Sequence, residues 1–327
     1  MRGRRIPARG AGIAVGYLAD LLLADPRRAH PVALFGQAAA ELERRTYADT
    51  RRAGLLHIAM LLGALGAAGL AVERVAARRG NAATMIATAA ATYVTLGGTS
   101  LTRIGAQMSA LLVANDIDAA RGLLPSLCGR DPAALDGAGL ARAALESVAE
   151  NTSDAQVAPL LWTAAFGVPG ALVYRGANTL DAMVGHRSQR YARFGWAAAR
   201  FDDVANFLPS RVTALLAAAC APLVAGSPRA ALRAWRRDAA HHPSPNAGVV
   251  EAAFAGALGV RLGGPTQYAH QLEIRPTLGD GRKPEAADLI ASVRLSRATQ
   301  ALAAVLAVAA APVSAASRSG RPASPRR

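Results

Sequence analysis

Lysine is almost missing from this 327-residue chain: all but one of its 37 basic residues are arginine, and Lys283 is the exception. That scarcity argues against Schiff-base chemistry, which needs a lysine amine. Cysteine is nearly as rare. Cys128 lies in a polar stretch and Cys220 in an apolar run, a pattern that fits neither a disulfide framework nor a metal motif. Aromatic residues make up only 5% of the chain, so its hydrophobic material is mostly Ala, Leu and Val. Such a composition suits closely packed helices better than sheets, which favour β-branched and aromatic side chains. The sequence also lacks a Gly-rich phosphate loop ending in Lys, paired CxxC motifs, HExxH and a nucleophile elbow. What remains is the chemistry of carboxylates, amides and arginines.

Apolar residues, by contrast, are plentiful. They form 52% of the chain and mean hydropathy is +0.20, which points to an all-α, polytopic integral membrane protein. The net charge of +15 is spread between apolar runs, as expected of membrane flanks and not of a nucleic-acid surface. Base composition in the coding DNA produces the same Arg and Ala excess, so the charge carries little functional weight. The basic start (Arg2, Arg4, Arg5, Arg9) before an apolar run resembles a signal peptide. However, Asp20 interrupts that run and no small-residue cleavage site follows, so the segment reads as retained.

A helix crossing ~30 Å of hydrocarbon needs about 20 residues without charge. Ala53 to Val72, Gly80 to Thr102, Ala155 to Tyr174 and Ala298 to Ser317 meet or approach that length, and Val212 to Pro228 is shorter. Ala11 to Ala24 contains Asp20. Five or six apolar helices follow, and five crossings give the usual bias of basic residues to one side. In that arrangement residues 1–316 form a single membrane-embedded domain, with polar helical connectors at 103–154, 175–211 and 229–297 and a disordered basic tail at 317–327. Asp131-Pro132 predicts a helix start within the first connector. Pro159 and Pro169 predict a kinked or broken Ala155 to Tyr174 helix, which would need a protein or aqueous lining at membrane depth. Five crossings also place 175–211 opposite the other polar motifs, an awkward outcome for a single site.

Four segments carry candidate chemistry. In ALESVAENTSDA, Glu146, Glu150 and Asp154 recur at i, i+4 and i+8, with Asn151 beside them. Three carboxylates on one helical face repel unless cations or solvent compensate, so the stripe is either a solvated surface or a site for a metal or metal-nucleotide. The second segment places Asn178 and Asp181 just after an apolar run, then Asp202, Asp203 and Asn206 between Arg200 and Arg211. Adjacent carboxylates and arginines suit a phosphate-bearing or metal-bound ligand, or an ordinary salt-bridged helix end. Ser244 and Asn246 precede a short apolar helix bearing Glu251, whose N-terminus can offer amides to an anion. The fourth segment holds Asp20, Asp25 and His30, and a His before Pro is more often a turn residue than a base.

Together, DLLLADP with HPVALFG, ESVAENTSDAQVAPLLW, NTLDAMVGHRSQRYARFGWAAARFDD and SPNAGVVEAAFAGALGVRLGGP resemble the CobD/CbiB family of cobalamin biosynthesis, from about Asp20 to Pro265. Four segments in matching order are far more specific than any one alone. Ser153, Ala155-Gln156 and Val249-Val250 depart from the family's usual residues, at small or apolar positions. The resemblance implies a multi-pass enzyme of the cell membrane, surrounded by lipid and without nucleic acid. It would be an adenosylcobinamide-phosphate synthase, joining aminopropanol or its phosphate to the propionate carboxylate of adenosylcobyric acid by ATP-dependent amide ligation. Association with other late corrinoid-assembly enzymes would fit. A carboxylate accepts an amine only once its oxygen becomes a good leaving group, as in an acyl phosphate, and that step gathers negative charge which Mg²⁺ and arginines must neutralise.

On this reading Glu146, Glu150, Asp154 and Asp181 would bind Mg²⁺ with ATP. Glu150, Asp181, Asp202 and Asp203 are the catalytic candidates, Asp202 and Asp203 as further metal ligands or as the base. Asn151, Asn178, Arg200, Ser244, Asn246 and His30 would hold phosphate or corrinoid groups. The same carboxylates and broken helix would also suit an ion-coupled transporter, although no inverted repeat is visible. A non-catalytic membrane scaffold for corrinoid enzymes is the third alternative.

Overall fold

A computed structural model describes residues 7–26, 30–133, 135–186, 188–267 and 272–312. The basic start at Arg2, Arg4 and Arg5 and the tail at 317–327 lie outside the described residues. The chain begins with α1 (Ala8–Leu23), α2 (Pro31–Thr46), α3 (Arg51–Arg79), α4 (Asn81–Thr95), α5 (Gly98–Val113) and α6 (Ile117–Leu123). Then come α7 (Gly137–Thr152), α8 (Ala158–Leu180), α9 (Tyr191–Phe194), α10 (Trp196–Ala205), α11 (Phe207–Cys220), α12 (Pro228–Asp238) and α13 (Ala247–Leu258). An antiparallel hairpin, β1 (Leu262–Gln267) with β2 (Leu272–Leu278), precedes α14 (Ala286–Ala310).

Small residues set the first helix contact. Gly12 and Gly16, one turn apart on α1, lie against Thr88 and Thr92 of α4, and a Cβ on Gly12 would fall 2.6 Å from Thr88 Cβ. Such positions let helix backbones approach closely, as helices in lipid require. At the other extreme, α3 leaves Leu55, Leu56, Met60, Leu70, Val72 and Val75 exposed along its length. An apolar surface this continuous is unfavourable in water but suits hydrocarbon. Among the described residues, four helical segments are long and apolar enough to cross a membrane: Arg51–Arg79, Gly137–Gly185, Phe207–Val224 and Ala286–Ala310.

The segment Gly137–Gly185 does not run straight. α7 passes into α8 through a π-helical turn at Ser153–Val157, and α8 ends in a second one at Asp181–Gly185. Between them, Gly167 leaves the helical region at φ +67°, where residues with a side chain are strained, and the helix breaks. Uninterrupted helix would separate Asp154 from Asn178 by about 36 Å. Instead, Asn178 Nδ2 donates to Asp154 Oδ2 at 3.4 Å, Tyr174 Oη donates to the Asp154 carbonyl at 3.1 Å, and the Trp162 and Tyr174 rings stack at 6.0 Å. The chain goes out and comes back. Its tip is tied by Arg9, which donates to the carbonyls of Ala164 and Ala165 and pairs with Glu73 at 2.5 Å.

This reversal corrects the expected single crossing at Ala155 to Tyr174. The expected break is there, but it falls at Gly167 and turns the chain around, so 175–211 lies beside Glu150 and not opposite it. A second correction concerns Gly80 to Thr102, which is two helices: α4 ends at Thr95, and after the Leu96-Gly97 break α5 begins. The Gly97 N–H donates to the Ala155 carbonyl at 3.0 Å, which fastens this break to the first π turn. The connector 229–297 is only partly helical, because the β1–β2 hairpin occupies its centre. Asp131-Pro132 sits in a turn and starts no helix; the start falls at Asp136, whose side chain accepts from Gly139 N at 2.7 Å. Leu140, Leu145 and Val148 of α7 pack with Val249 of α13, Leu262 and Leu278 of the hairpin, and Leu289 of α14, fixing α7 in a dry core.

One consequence is measurable. In a chain with Cys128 and Cys220 replaced, single cysteines introduced at Ser126, ahead of α7, and at Ser188, after the returning arm, should both react with a membrane-impermeant maleimide added from the same side. Labelling from opposite sides would rule out the reversal at Gly167.

Candidate active site

The two π turns hold the acidic residues that the sequence singled out. A π turn widens the helix and displaces backbone groups from their usual partners, and such turns gather at functional sites. At the first, Asp154 exposes its carboxylate to Asn178 while its carbonyl is taken by Tyr174. Tyr174 in turn donates to Asn206 Oδ1 at 2.7 Å, and Asn206 Nδ2 donates to Asp202 Oδ2 at 3.0 Å. Asp202 Oδ1 is buried without a hydrogen-bond partner. Asp181 opens the second π turn.

Glu150, Asp154, Asp181 and Asp202 lie within electrostatic reach of one another, and Arg175 reaches Asp154 from α8. Asp202 stands on α10, outside the apolar segments. Burial, reinforced by the Asp203 and Glu150 charges, pushes its pKa from 3.8 up to about 6, against the hydrogen bonds from Asn206 and Asn178. Asp203 is also raised by burial, with Arg200, 3.0 Å away, opposing.

Glu150 also faces a cavity of about 220 Å³, lined by Arg130, Glu146, Cys128 and Arg275. Glu251 of α13 lies within electrostatic reach of Glu146, Glu150, Arg130 and Arg275. Glu146 is committed: one oxygen pairs with Arg130, and the other accepts from Gly263 N at 2.7 Å. Among the described residues no three of His, Cys, Asp and Glu converge as a ready-made metal cage.

The remaining candidates are more structural. Asn151 donates back to the Ser147 carbonyl at 3.0 Å. Ser244 Oγ accepts from Asn246 N and Ala247 N, so it occupies the amides at the start of α13. Asn246 joins two elements, donating to the Asp203 carbonyl at 2.8 Å and accepting from Ser210 and Arg211, each at 3.2 Å. Arg200 is engaged by Asp203. His30 caps α2, its Nδ1 accepting from Val32 N at 3.2 Å, with Nε2 3.5 Å from Asp25. Sequence reasoning did not single out Arg130, Arg175, Tyr174 or Arg275. Nothing local marks them, because each acts on groups brought in by other elements: the arginines on carboxylates, and Tyr174 on the Asp154 carbonyl and Asn206.

Fold and site together define a polytopic helical membrane protein whose re-entrant helical hairpin carries a buried carboxylate cluster. The family described as CobD/Cbib protein matches residues 13–296, and the chain belongs to this family of cobalamin biosynthesis proteins. It is 64% identical over 300 residues to the cobalamin biosynthesis protein CobD of Mycobacterium tuberculosis, covering 92% of this chain and 95% of the relative. The protein of the same description from Geobacter metallireducens is 41% identical over 303 residues, covering 91% and 95%. No solved structure matches the chain.

The raised Asp202 has a pH signature. The folded protein keeps this proton up to about 6, whereas the unfolded chain releases it near 3.8. The stabilising contribution is therefore complete below about pH 3.8 and is lost as pH rises through 6. Asp202→Asn removes this dependence. Measured in detergent with chelator present, the melting temperature of D202N relative to wild type should rise by on the order of 2–4 °C between pH 5 and pH 7. A difference that stays flat over that interval contradicts the assignment.

Proposed function

We propose that this protein is the amide-forming enzyme of late corrinoid assembly. It would join (R)-1-amino-2-propanol, or its O-phosphate, to the propionate carboxylate of adenosylcobyric acid with consumption of ATP. The observation that carries this reading is the convergence of Glu150, Asp154, Asp181 and Asp202 where the helical hairpin returns to its starting level. Uncompensated carboxylates at such density call for a cation.

Mg²⁺ is normally held by one or two carboxylates together with substrate phosphate oxygens, so the missing three-residue cage is no obstacle, and the unpartnered Asp202 Oδ1 is a fitting donor. Glu150 and Asp181 would hold the metal with its nucleotide, with Asp154 and Asp202 completing the field. When bound, they supply charge neutralisation and the means of turning a carboxylate oxygen into a leaving group. Arg130, Arg175 and Arg275 offset the negative charge that the substrates bring. Asp202 serves either as that further metal donor or, unligated and with a pKa raised to about 6, as the base that takes the proton from the attacking amine, with Asp203 beside it as the alternative base. Glu146 serves in this proposal as a brace for the hairpin and not as a ligand, since both of its oxygens are engaged.

Purified protein supplied with adenosylcobyric acid, aminopropanol or its phosphate, ATP and Mg²⁺ should form the amide, read by mass analysis. Glu150→Ala and Asp181→Ala should each lower conversion by at least ~100-fold while membrane insertion is unchanged. Full activity in either variant would falsify the assignment of these residues. Transport by proteoliposomes without ATP turnover would favour the carrier, and tolerance of both substitutions without any conversion would favour the scaffold.

A further inference from the structure

A second cavity lies on the other side of the β1–β2 hairpin from the carboxylates. It measures about 430 Å³ and is lined by the first turn of α7, the Gly263-Gly264-Pro265 stretch, Arg142, Arg261 and Lys283. The three cations play different parts. Arg142 is spent on shape, donating to the carbonyls of Gly263 and Pro265 and so holding the hairpin open against α7. Arg261 and Lys283 have no ion-pair partner among the described residues, and Lys283 is the sole lysine of the chain. The contrast with Arg282, between them in the fold, is informative: its guanidinium makes two 2.7 Å bonds to Asp288. Among the described residues the one acidic residue on the rim is Asp136, which already faces Gly139 N as the cap of α7.

The wall itself leaves room for an anion. Gly263 and Gly264 hold φ of +80° and +86°, so this stretch of hairpin presents no side chain to the cavity. The Gly263 peptide also separates the two cavities, with its N–H on Glu146 in the inner one and its carbonyl on Arg142 in the outer one. A compact, multiply charged group met by two free cations and a glycine wall matches phosphate chemistry.

We propose that this cavity is the subsite for the phosphate-bearing substrate, a phosphate ester or anhydride, held by Arg261 and Lys283 next to the carboxylate cluster. Naming the ligand a substrate rests on the amide-ligase reading; the subsite does not depend on it. Two probes separate the sources: O-phosphoethanolamine stands for an amino-alcohol phosphate, and tripolyphosphate with Mg²⁺ for a nucleotide tail. Each is titrated calorimetrically into the purified full chain, without corrinoid.

Wild type should bind at least one probe, and the probe that binds names the source. Arg261→Glu and Lys283→Glu should each weaken that binding at least 10-fold, while Lys283→Arg should retain it within about 3-fold. Ethanolamine, which lacks the phosphate, should not compete. Absence of binding by both probes, or unchanged affinity in both charge reversals with size-exclusion and circular-dichroism profiles like wild type, overturns the subsite. Because the readout needs no turnover, binding lost in these variants alongside failed conversion in wild type would sink the ligase reading and leave the subsite standing.

Discussion

The ion pair of Arg9 with Glu73 closes the far end of the helical hairpin, and the polar geometry at the near end depends on it. Breaking α8 at Gly167 leaves carbonyls without intrahelical donors, a costly condition in an apolar setting. Arg9 supplies those donors at Ala164 and Ala165, and Glu73 balances its charge. A Cβ at residue 167 would come 2.5 Å from Glu73 Oε1, so the absence of a side chain there admits both the turn and the clasp. The pair is partly exposed, and such pairs contribute little net stability, since desolvation cancels much of the attraction. Its value is conformational. It gives the carbonyls of Ala164 and Ala165 donors at the reversal, and only the reversal brings Asp154 within reach of Asn178 and Asp202.

The sequence disclosed the helical class, the apolar segments and the acidic clusters, because each leaves a local signal: long uncharged runs, i, i+4 spacing, polarity directly after a span. It also disclosed that the Ala155 to Tyr174 helix would break. What it hid was direction. A break at Pro159 or Pro169 reads as a kink, whereas the break occurs at Gly167, and nothing in the run tells a kinked crossing from a turn that comes back. Arg9, 158 positions before Gly167, decides the matter. The π turns were equally hidden, since nothing in SDAQV or DAMVG tells a widened turn from an ordinary helical one, and the first is sustained by Tyr174 and Gly97 from outside the turn. The hairpin in the 229–297 connector was masked for a different reason: its first strand is rich in Gly and Pro, which read as turn.

Glu146 and Glu150 show where pattern stops and tertiary structure takes over. They stand one turn apart on α7 and are equivalent by spacing. Glu146 meets Arg130 and the Gly263 N–H, which saturate it and anchor the hairpin. Glu150 lies one turn further along the helix, facing the cavity and sharing its field with the carboxylates of the returning hairpin. A charge whose partners are built into the fold becomes a brace, while one left with an excess of like neighbours holds binding energy for whatever cation arrives. The same division separates Arg142, whose two terminal nitrogens are engaged by hairpin carbonyls, from Arg261 and Lys283. The hairpin thus separates two kinds of cation: Arg130 and Arg275 line the inner cavity with Glu146 and Glu150, whereas Arg261 and Lys283 stand on the outer side without an ion-pair partner among the described residues, with a single glycine between the two cavities. Under the proposed ligase reading, that separation would let a phosphate group meet unpaired cations on the outer side while the carboxylates on the inner side are left to a divalent cation.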